Sequence, residues 1–450
     1  MKFWDYGNLQ VSENNRYLKN GDKPFFWLGD TAWLMFTKLD LDETYNYLRN
    51  RKEKGYNVIQ VTIIHALPAL DKEKSSLPEV WKENNSPLYN NDFSNPNLDG
   101  GFWTHIDEVL KIAENLNMYL ALLPAWGSMV KENFLNQDNA KFYSEFLGNR
   151  YKNNKNIIWL VGGDVRGDVN LNVFNTIGST LKKICPNHLV GYHPFGRTSS
   201  SAWFNKEPWL DFNMFQSGHR RYDQFSLGQW DDNKETESFF GEDSWKYVQQ
   251  DYAKSIKKPT LDGEPSYEEI PQGLHDSEEP YWHDNDVRRY AYWSVFQGAC
   301  GHTYGHNSIM QFYKTTDKKP AYGAKEFWEI AINDIGSGQM SHLKNLLTSV
   351  DFINGTYNDT FLVNKQQEKY ERISVFSGND FIFAYTYLGN PFKLDLSMSE
   401  FNHGDVYWFD PISGIYNYIS QIELKEIFKF IPPNKKSGHN DWVLVIKQQN

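Results

Sequence analysis

Two carboxylates occupy positions that suit acid–base or nucleophilic chemistry. Asp164 follows the apolar run 156–161 and Glu264 follows the run 259–262, and each carboxylate has a glycine directly before it. Hydrolysis of a glycosidic bond needs such a pair, because one carboxylic acid protonates the leaving oxygen while a second carboxylate attacks the anomeric carbon or activates water. Either residue alone could instead be an ion-pair partner of Arg166 or Arg220. Two carboxylates at two strand ends favour catalysis.

The runs before these carboxylates belong to a repeating strand–helix pattern. Short apolar runs without period-two alternation predict strands that are buried on both faces and therefore parallel. These runs lie at 24–29, 57–64, 119–123, 156–161, 188–192, 211–215, 259–262 and 299–303. Eight such units predict an α/β fold, a (β/α)8 TIM barrel whose active site forms at the C-terminal ends of the strands. An open doubly wound sheet is the alternative, but no Gly-rich phosphate loop follows the first strand.

In such a barrel the fourth and seventh strands lie on opposite sides of the ring. Asp164 and Glu264 would therefore face each other across a bound sugar. A retaining enzyme places the two carboxyl groups ~5–5.5 Å apart and an inverting enzyme ~6.5–9.5 Å apart. We assign Asp262 a structural role, and the spacing lets Tyr267 hydrogen-bond Glu264.

Other polar and aromatic residues at the strand ends are predicted to bind substrate. Asp30 could accept a hydrogen bond from a sugar hydroxyl or cap the segment after it. The tryptophans could stack on sugar rings or fill the barrel core, and the arginines could clamp a carboxylate or pair with nearby acids. The predicted substrate-binding residues are Asp30, Trp33, Trp126, Arg166, His193, Arg197, Gln216, His219, Arg220, Arg221, Tyr267, His302, Tyr304, His306 and Asn307.

The histidines do not have the spacing of a metal site. His302 and His306 are four residues apart, and His219 could approach them. A four-residue spacing joins two ligands on a helix, whereas these two residues follow a strand, and the chain has no HExxH motif. We therefore predict no metal and no cofactor.

The strand–helix alternation ends after residue 344. Strand-like runs at 381–387, 405–408 and 441–446 alternate with Gly- and Pro-containing turns, which predicts an antiparallel β-sandwich. We expect two domains, a catalytic barrel with an N-terminal hairpin at 1–344 and an accessory sandwich at 345–450. At the start of the barrel, Asp40 and Glu43 form a capping-box pattern that predicts a helix running to about Lys54.

Composition restricts the partners. The net charge of −11 argues against nucleic acid and anionic membranes. No apolar run is long enough to cross a bilayer, and the two cysteines are too few for a disulfide framework. The N-terminus lacks the apolar core of a signal peptide. Either the protein is intracellular or its signal has been removed, and we expect the periplasmic or secreted location rather than the cytoplasm. We also expect a monomer or weak oligomer.

Several long motifs extend over nearly the whole chain: FFWLGDTAW, NVIQV, NIIWLVGGDVRGD, PWLDFNMFQSGHRRY, DGEPSYEEIPQGLHD, DVRRYAYWSVFQGACGHTYGHNSIMQF and DWVLVI. Together they resemble the motifs of the apiosidase-like bacterial enzymes of glycoside hydrolase family 140. The resemblance implies a (β/α)8 barrel with a C-terminal β-sandwich, the aspartate of GGD (Asp164) as acid/base and the glutamate of DGEP (Glu264) as nucleophile. The C-terminal module is sometimes labelled collagen-binding in relatives, and nothing in 345–450 supports that label physically.

The resemblance also implies a substrate. It points to a retaining exo-glycosidase that releases apiose linked to galacturonic acid in the plant pectin rhamnogalacturonan II, and a galacturonate would explain the arginines. The loop 65–101 matches least well, and it bears on the leaving group. The alternatives are a glycosidase for another furanoside or uronate-linked sugar, a non-catalytic carbohydrate-binding protein and a metal-dependent hydrolase.

Overall fold

A computed structural model describes residues 1–67, 86–224, 241–434 and 439–449. Its central feature is a ring of eight parallel strands. Residues of these strands are almost all buried, as strands covered on both faces must be. The strands are β1 (Trp27–Thr31), β2 (Val58–Ile64), β3 (Tyr119–Ala125), β4 (Ile157–Gly162), β5 (Val190–His193), β6 (Asn213–Gln216), β7 (Thr260–Asp262) and β8 (Gly301–Tyr304).

Strand pairing follows the chain order around the ring. Parallel ladders join β1 to β2 and continue to β5, while β8 pairs with both β1 and β7. Between β5 and β6 the ladder is reduced to the bond from the Asp211 amide to the Val190 carbonyl, at 2.8 Å. A two-residue strand, Thr198–Ser199, adds to the outer edge of β6. The predicted (β/α)8 barrel is confirmed.

Helices surround the ring, and they follow the strands as expected. The long ones are α1 (Leu41–Glu53), α2 (Phe102–Asn115), α3 (Ala140–Tyr151), α4 (Leu171–Ile184), α5 (Ser244–Tyr252), α6 (Asp284–Phe296) and α7 (Ile335–Thr348). Single-turn helices lie at Met35–Lys38, Ser128–Lys131, Ser201–Phe204, Asn307–Met310 and Trp328–Ala331. Between β5 and β6 only the single turn Ser201–Phe204 takes the helix position.

The start of α1 shows how local sequence sets these elements. The Asp40 carboxylate accepts the Glu43 amide at 2.8 Å, and the Glu43 carboxylate accepts the Asp40 amide at 2.9 Å. These bonds satisfy amides that the first helical turn leaves without partners. Gly55 then takes a φ of 84°, which ends the helix and turns the chain into β2.

The N-terminal and C-terminal regions form antiparallel sheets. Strands Leu9–Val11, Leu18–Asn20 and Lys23–Phe25 make a three-stranded sheet. The C-terminal strands are β9 (Thr356–Tyr357), β10 (Ile373–Ser377), β11 (Phe381–Thr386), β12 (Phe392–Asp395), β13 (His403–Phe409), β14 (Tyr416–Glu423), β15 (Ile427–Phe430) and β16 (Trp442–Gln448). Six of these pair in the order β9-β10-β11-β16-β13-β14, while β12 pairs with β15. The two sheets enclose a core of their own, as predicted.

The C-terminal sheets pack on α6. Arg288 of this helix is fully buried and binds Asp441 through two hydrogen bonds of 2.9 and 3.2 Å. One turn later, Tyr292 stacks on Tyr385 at 4.7 Å between ring centroids. The boundary predicted between residues 344 and 345 falls inside α7, which continues to Thr348. No helix of the described residues is long and apolar enough to span a bilayer.

The Arg288–Asp441 pair predicts a large effect on stability. Replacing Asp441 with alanine leaves a buried guanidinium with one carboxylate fewer, and removing one partner of a buried ion pair costs ~3–5 kcal/mol. Asp284 still pairs with Arg288, so we expect the loss at the lower end of that range. Urea unfolding of Asp441→Ala measures it.

The matched control is Glu108→Ala, which removes the exposed pair with Lys111. It is expected to leave the unfolding midpoint unchanged, since exposed pairs contribute little. Equal midpoints for both variants would contradict the burial argument.

Candidate active site

Glu264 lies at the C-terminal end of the barrel, two residues after β7. Its side chain is mostly buried, with 7% of the residue exposed. Two imidazoles face it: Nε2 of His193, at the end of β5, is 3.3 Å from one carboxylate oxygen, and Nε2 of His219, beyond β6, is 3.3 Å from the other. Three neighbouring strands therefore supply one carboxylate and the two imidazoles that face it, and His219 forms a hydrogen bond with it.

The direction of the imidazole hydrogens follows from the backbone. The Asp164 amide donates to Nδ1 of His193 at 3.4 Å, so the proton of a neutral His193 ring lies on Nε2. Burial raises the pKa of Glu264, but the contacts with the His193 and His219 imidazoles outweigh it and hold the pKa at about 2. Glu264 is therefore ionised at any working pH.

Asp164 follows β4, and the three residues from Gly162 to Asp164 all have positive φ angles. Gly162 and Gly163 have φ values of 93° and 110°, and Asp164 itself has a φ of 50°. A Cβ on Gly163 would lie 3.0 Å from the Trp126 ring and 3.1 Å from the Gly127 nitrogen, so the glycine is needed for space as well as for φ. A left-handed aspartate costs roughly 1 kcal/mol, and such strain is concentrated at functional sites.

The surroundings of Asp164 favour its protonated form. Burial raises the pKa of Asp164 to about 6, and the negative charge of Glu264 adds to the rise, while a hydrogen bond from Gln216 opposes it. Two carboxyl groups close enough to interact thus have pKa values displaced in opposite directions. This division suits one group to donate a proton and the other to act as a nucleophile or base.

Aromatic rings pack against His193 and His219, the two imidazoles that face Glu264. The Trp33 ring meets Trp126 at 5.2 Å and His193 at 5.0 Å, both edge to face. Trp33 is only 4% exposed, whereas Trp126 is half-buried and thus the more accessible stacking surface. Tyr267, also buried, packs edge to face on His219 at 4.9 Å. These rings fix the two imidazoles that contact Glu264.

Arg166 and Arg221, both predicted to bind substrate, form ion pairs with carboxylates. Arg166 forms a two-pronged pair with Asp168, at 2.9 and 2.7 Å. Arg221 binds Asp223 and Glu279 at 2.8 and 2.7 Å. These ion pairs are the structural alternative to substrate binding that the sequence left open for each arginine.

Arg197 and Arg220 lie on the segments that follow β5 and β6. The Arg197 amide donates to the Gln216 carbonyl at 2.7 Å, which places the Arg197 backbone beside the end of β6. Arg220 is 5% exposed; burial and then the charge of Arg197 lower its pKa to about 10. The two guanidinium groups are therefore close enough to interact.

Asp30 does not face the mouth of the barrel, contrary to prediction. Its carboxylate is fully buried, pairs with Arg51 and accepts the Tyr47 hydroxyl at 2.7 Å and the Thr31 amide at 2.9 Å. These bonds use both oxygens, so Asp30 ties β1 to α1. Of the two roles that the sequence left open for Asp30, its bond to the Thr31 amide fits the cap, and its buried, fully used carboxylate does not fit a sugar ligand.

The residues predicted on and after β8 also bind protein groups. The Tyr304 hydroxyl donates to Glu268, His306 contacts Asp334 at 2.8 Å, and the Asn307 amide donates to the carbonyls of Glu269 and Tyr322. His306 lines a separate cavity of about 450 Å³ that contains neither Asp164 nor Glu264.

His302 differs from its neighbours on β8. It is fully buried in the barrel beside Asp262, and burial lowers its pKa to about 3. Neither ring nitrogen of His302 has a hydrogen-bond partner among the described residues. Asp262 accepts the Ser217 hydroxyl at 2.5 Å, in line with its assigned structural role.

Tyr322 is a site residue that the sequence did not reveal. It sits in the turn Ala321–Gly323 with a φ of 49°, and Asn307 and Tyr281 hold that turn by its carbonyls. Although 39% of Tyr322 is exposed, the partial burial of its ring raises its pKa to about 12, and the charges of Asp164 and Glu264 contribute. Its position on a loop well beyond β8 gave no strand-end signal, although Pro320 and Gly323 bracket a turn.

Within residues 1–67, 86–224, 241–434 and 439–449, no group of three or more His, Cys, Asp or Glu side chains is arranged to hold a metal ion. Much of the loop 65–101, expected to bear on leaving-group specificity, lies outside the described residues.

Comparison with protein families gives two matches. Residues 12–354 match the family described as "Apiosidase-like, catalytic domain". Residues 358–447 match the family described as "Putative collagen-binding domain of a collagenase". A comparison with curated proteins found no match.

Solved structures give full-length matches. One, titled "Glycoside hydrolase", is 42% identical with a TM-score of 0.89 and covers 100% of this chain and 98% of its own. A glycoside hydrolase family 5 structure from Bacteroides vulgatus is 38% identical with a TM-score of 0.88, covering 100% and 95%. Another glycoside hydrolase structure from B. vulgatus, at 13% identity and a TM-score of 0.68, covers 99% of this chain and 83% of its own and shares the fold.

The opposed pKa values predict the pH dependence of activity. The reactive form has Glu264 ionised and Asp164 protonated. With pKa values of about 2 and about 6, kcat/KM should be level in mildly acidic buffer and fall tenfold per pH unit above about 6. Initial rates measured from about pH 4 to about pH 9 give the pH dependence of kcat/KM and check this prediction.

Asp164→Asn, assayed on an aryl glycoside whose leaving group needs no proton, should lose the alkaline fall. A wild-type rate that rises through pH 6 would contradict the assignment of the proton to Asp164.

Proposed function

Because the chain belongs to the apiosidase-like family of glycoside hydrolases, as its motifs predicted, we propose that it is a retaining exo-enzyme that removes a terminal sugar from pectin side chains. The sugar is apiose linked to galacturonic acid in rhamnogalacturonan II. Residues 1–344 carry the catalysis, and residues 345–450 form the accessory domain.

One observation carries the catalytic part of the proposal. Two carboxylates of one barrel mouth have pKa values of about 2 and about 6, and each displacement has a visible cause. A glycosidase that forms a covalent intermediate needs this combination of an ionised nucleophile and a protonated acid. Glu264 is the nucleophile and Asp164 the acid/base.

The two steps follow from these protonation states. Glu264 attacks the anomeric carbon and forms a glycosyl ester, while Asp164 gives its proton to the departing glycosidic oxygen. Asp164, now ionised, takes a proton from water, and the hydroxide formed displaces Glu264 to release the sugar. His193 and His219 stabilise the Glu264 charge before attack and after release, and Gln216 bonds Asp164 when it is charged.

The substrate part rests on the residues around the carboxylates. Trp126 offers a partly exposed ring for a sugar face, and Tyr322 lies within electrostatic reach of both carboxylates. Arg197 and Arg220 follow β5 and β6 at the C-terminal end of the barrel, and guanidinium groups match the planar carboxylate of a uronate. These features support a small glycone next to an acidic sugar.

Product analysis tests the proposal most directly. The wild-type protein, incubated with apiose-containing rhamnogalacturonan II oligosaccharides, should release free apiose, seen by anion-exchange chromatography. Asp164→Asn and Glu264→Gln should each lower the rate by ~10³-fold or more, since both remove a group that acts in the transition state. Glu279→Gln, which alters only an ion pair of Arg221, is the control.

The outcomes separate the alternatives. Release of a different pentose from an aryl furanoside panel would keep the mechanism and change the sugar. Retention is read from the anomer formed first, by proton NMR. Undiminished release by either carboxylate variant would contradict the assignment of catalysis to this pair.

Arg220 predicts a dependence on the acidic sugar. Arg220→Gln should raise KM for a galacturonate-linked substrate by ~10–100-fold, the effect of losing a charge-assisted hydrogen bond. The same variant should hydrolyse a neutral aryl glycoside with unchanged KM. Parallel Michaelis curves for the two substrates make the measurement, and equal effects on both would refute a uronate site at Arg220.

A further inference from the structure

A single buried carboxylate joins three parts of the molecule. Glu242 precedes α5 and has no exposed surface. Its oxygens accept the backbone amide of Tyr222 at 2.8 Å, a guanidinium N–H of Arg289 at 2.7 Å and the hydroxyl of Tyr370 at 2.8 Å. Tyr222 belongs to the segment after β6, Arg289 to α6 and Tyr370 to the C-terminal domain.

The segment that Glu242 holds is the one that carries active-site residues. Residues 217–222, here called the 217–222 segment, include His219, which contacts Glu264 at 3.3 Å, and Arg220. Gly241, next to Glu242, packs directly beneath this segment. A Cβ on Gly241 would lie 2.6 Å from the Ser217 carbonyl oxygen and 3.3 Å from that of Arg220. Glu242 and Gly241 thus support the backbone of this segment, together with Trp282 and the Gly273 amide, which bind the His219 carbonyl at 3.0 and 2.6 Å.

Several contacts fix the position of Tyr370. It lies in the short turn Lys369–Glu371, where Lys369 has a φ of 50°. The ring meets Tyr222 edge to face at 5.5 Å and lies 4.9 Å from the Arg289 guanidinium. The Tyr370 ring is therefore held by two residues of the barrel, Tyr222 and Arg289, while its hydroxyl bonds Glu242.

We propose that Tyr370 of the C-terminal domain is a positioning residue of the barrel's active site. It acts through Glu242 and the 217–222 segment on His219 and Arg220. The C-terminal domain is then part of the catalytic apparatus, and not only an appendage fixed to α6. The inference rests on the proposed role of Glu264 as the nucleophile that His219 supports.

The domain contact alone does not account for this arrangement. Arg288–Asp441 and the Tyr292–Tyr385 stack join the domains on α6 without touching the 217–222 segment. The Tyr387 hydroxyl also bridges the domains, accepting the Asn285 amide at 2.8 Å. Its ring packs on Tyr370 at 5.8 Å and lies 4.9 Å from the Arg289 guanidinium, as the Tyr370 ring does, but its hydroxyl is not bonded to Glu242. Tyr387→Phe therefore keeps these ring contacts and controls for the loss of an interface hydroxyl alone.

Tyr370→Phe removes one oxygen and keeps the ring. We expect kcat/KM on an aryl glycoside to fall by ~10-fold, since small displacements of catalytic groups are costly. The wild-type profile has no acid limb in mildly acidic buffer, and we expect one to appear there in Tyr370→Phe, because a loosened His219 no longer holds the pKa of Glu264 down. Tyr387→Phe should leave kcat/KM and the profile unchanged, with a thermal midpoint similar to that of Tyr370→Phe.

A second readout needs no turnover. The ring nitrogen signals of His219, assigned in ¹⁵N-histidine spectra with a His219→Gln variant, should move in Tyr370→Phe and stay in place in Tyr387→Phe. Unmoved His219 signals, or equal losses of kcat/KM in both variants, would overturn the inference. Moved signals in a protein that hydrolyses no glycoside would uphold the positioning link and refute the proposed function alone.

Discussion

A buried carboxylate stays ionised only if the protein replaces the water it has lost, and Glu264 shows how this barrel does so. His193, at the end of β5, and His219, on the segment after β6, each place Nε2 3.3 Å from one of its oxygens. The rest of the mouth depends on this contact. Trp33 and Tyr267 hold the two rings, and the charge that the imidazoles stabilise is part of what keeps Asp164 protonated.

The same contact links the domains. His219 has no strand of its own to hold it, since β6 ends at Gln216. Its place is set by the loop backbone, and that backbone rests on Gly241 and Glu242. A loop that carries a catalytic contact needs a rigid support. Arg289 of α6 and Tyr370 of the C-terminal domain both bond Glu242. The two domains therefore share the support of the loop that carries His219.

The sequence predicts the scaffold well because burial on both faces leaves a plain pattern. Eight apolar runs, the capping box at Asp40 and the glycines before Asp164 and Glu264 each reflect a local physical requirement. Strand ends also located the two carboxylates. Position at a strand end, however, does not fix the direction of a side chain.

Partners from distant parts of the chain fix that direction, and no local pattern reports them. Asp30 turns to Arg51 on α1, and His306 turns to Asp334. Tyr322 enters the site from a loop well beyond its strand, and Tyr370 acts from another domain. Such residues are found only when the fold brings them together.

The central claim is that two carboxyl groups in one mouth differ in protonation at the working pH. Carbon-13 NMR of the side-chain carboxyl groups, assigned with Asp164→Asn and Glu264→Gln, tests it without any substrate. The account predicts that the Asp164 signal titrates near 6 and that the Glu264 signal stays at its ionised position down to the lowest pH at which the protein is folded. A Glu264 signal that titrates near the ordinary value of 4.5 would contradict it.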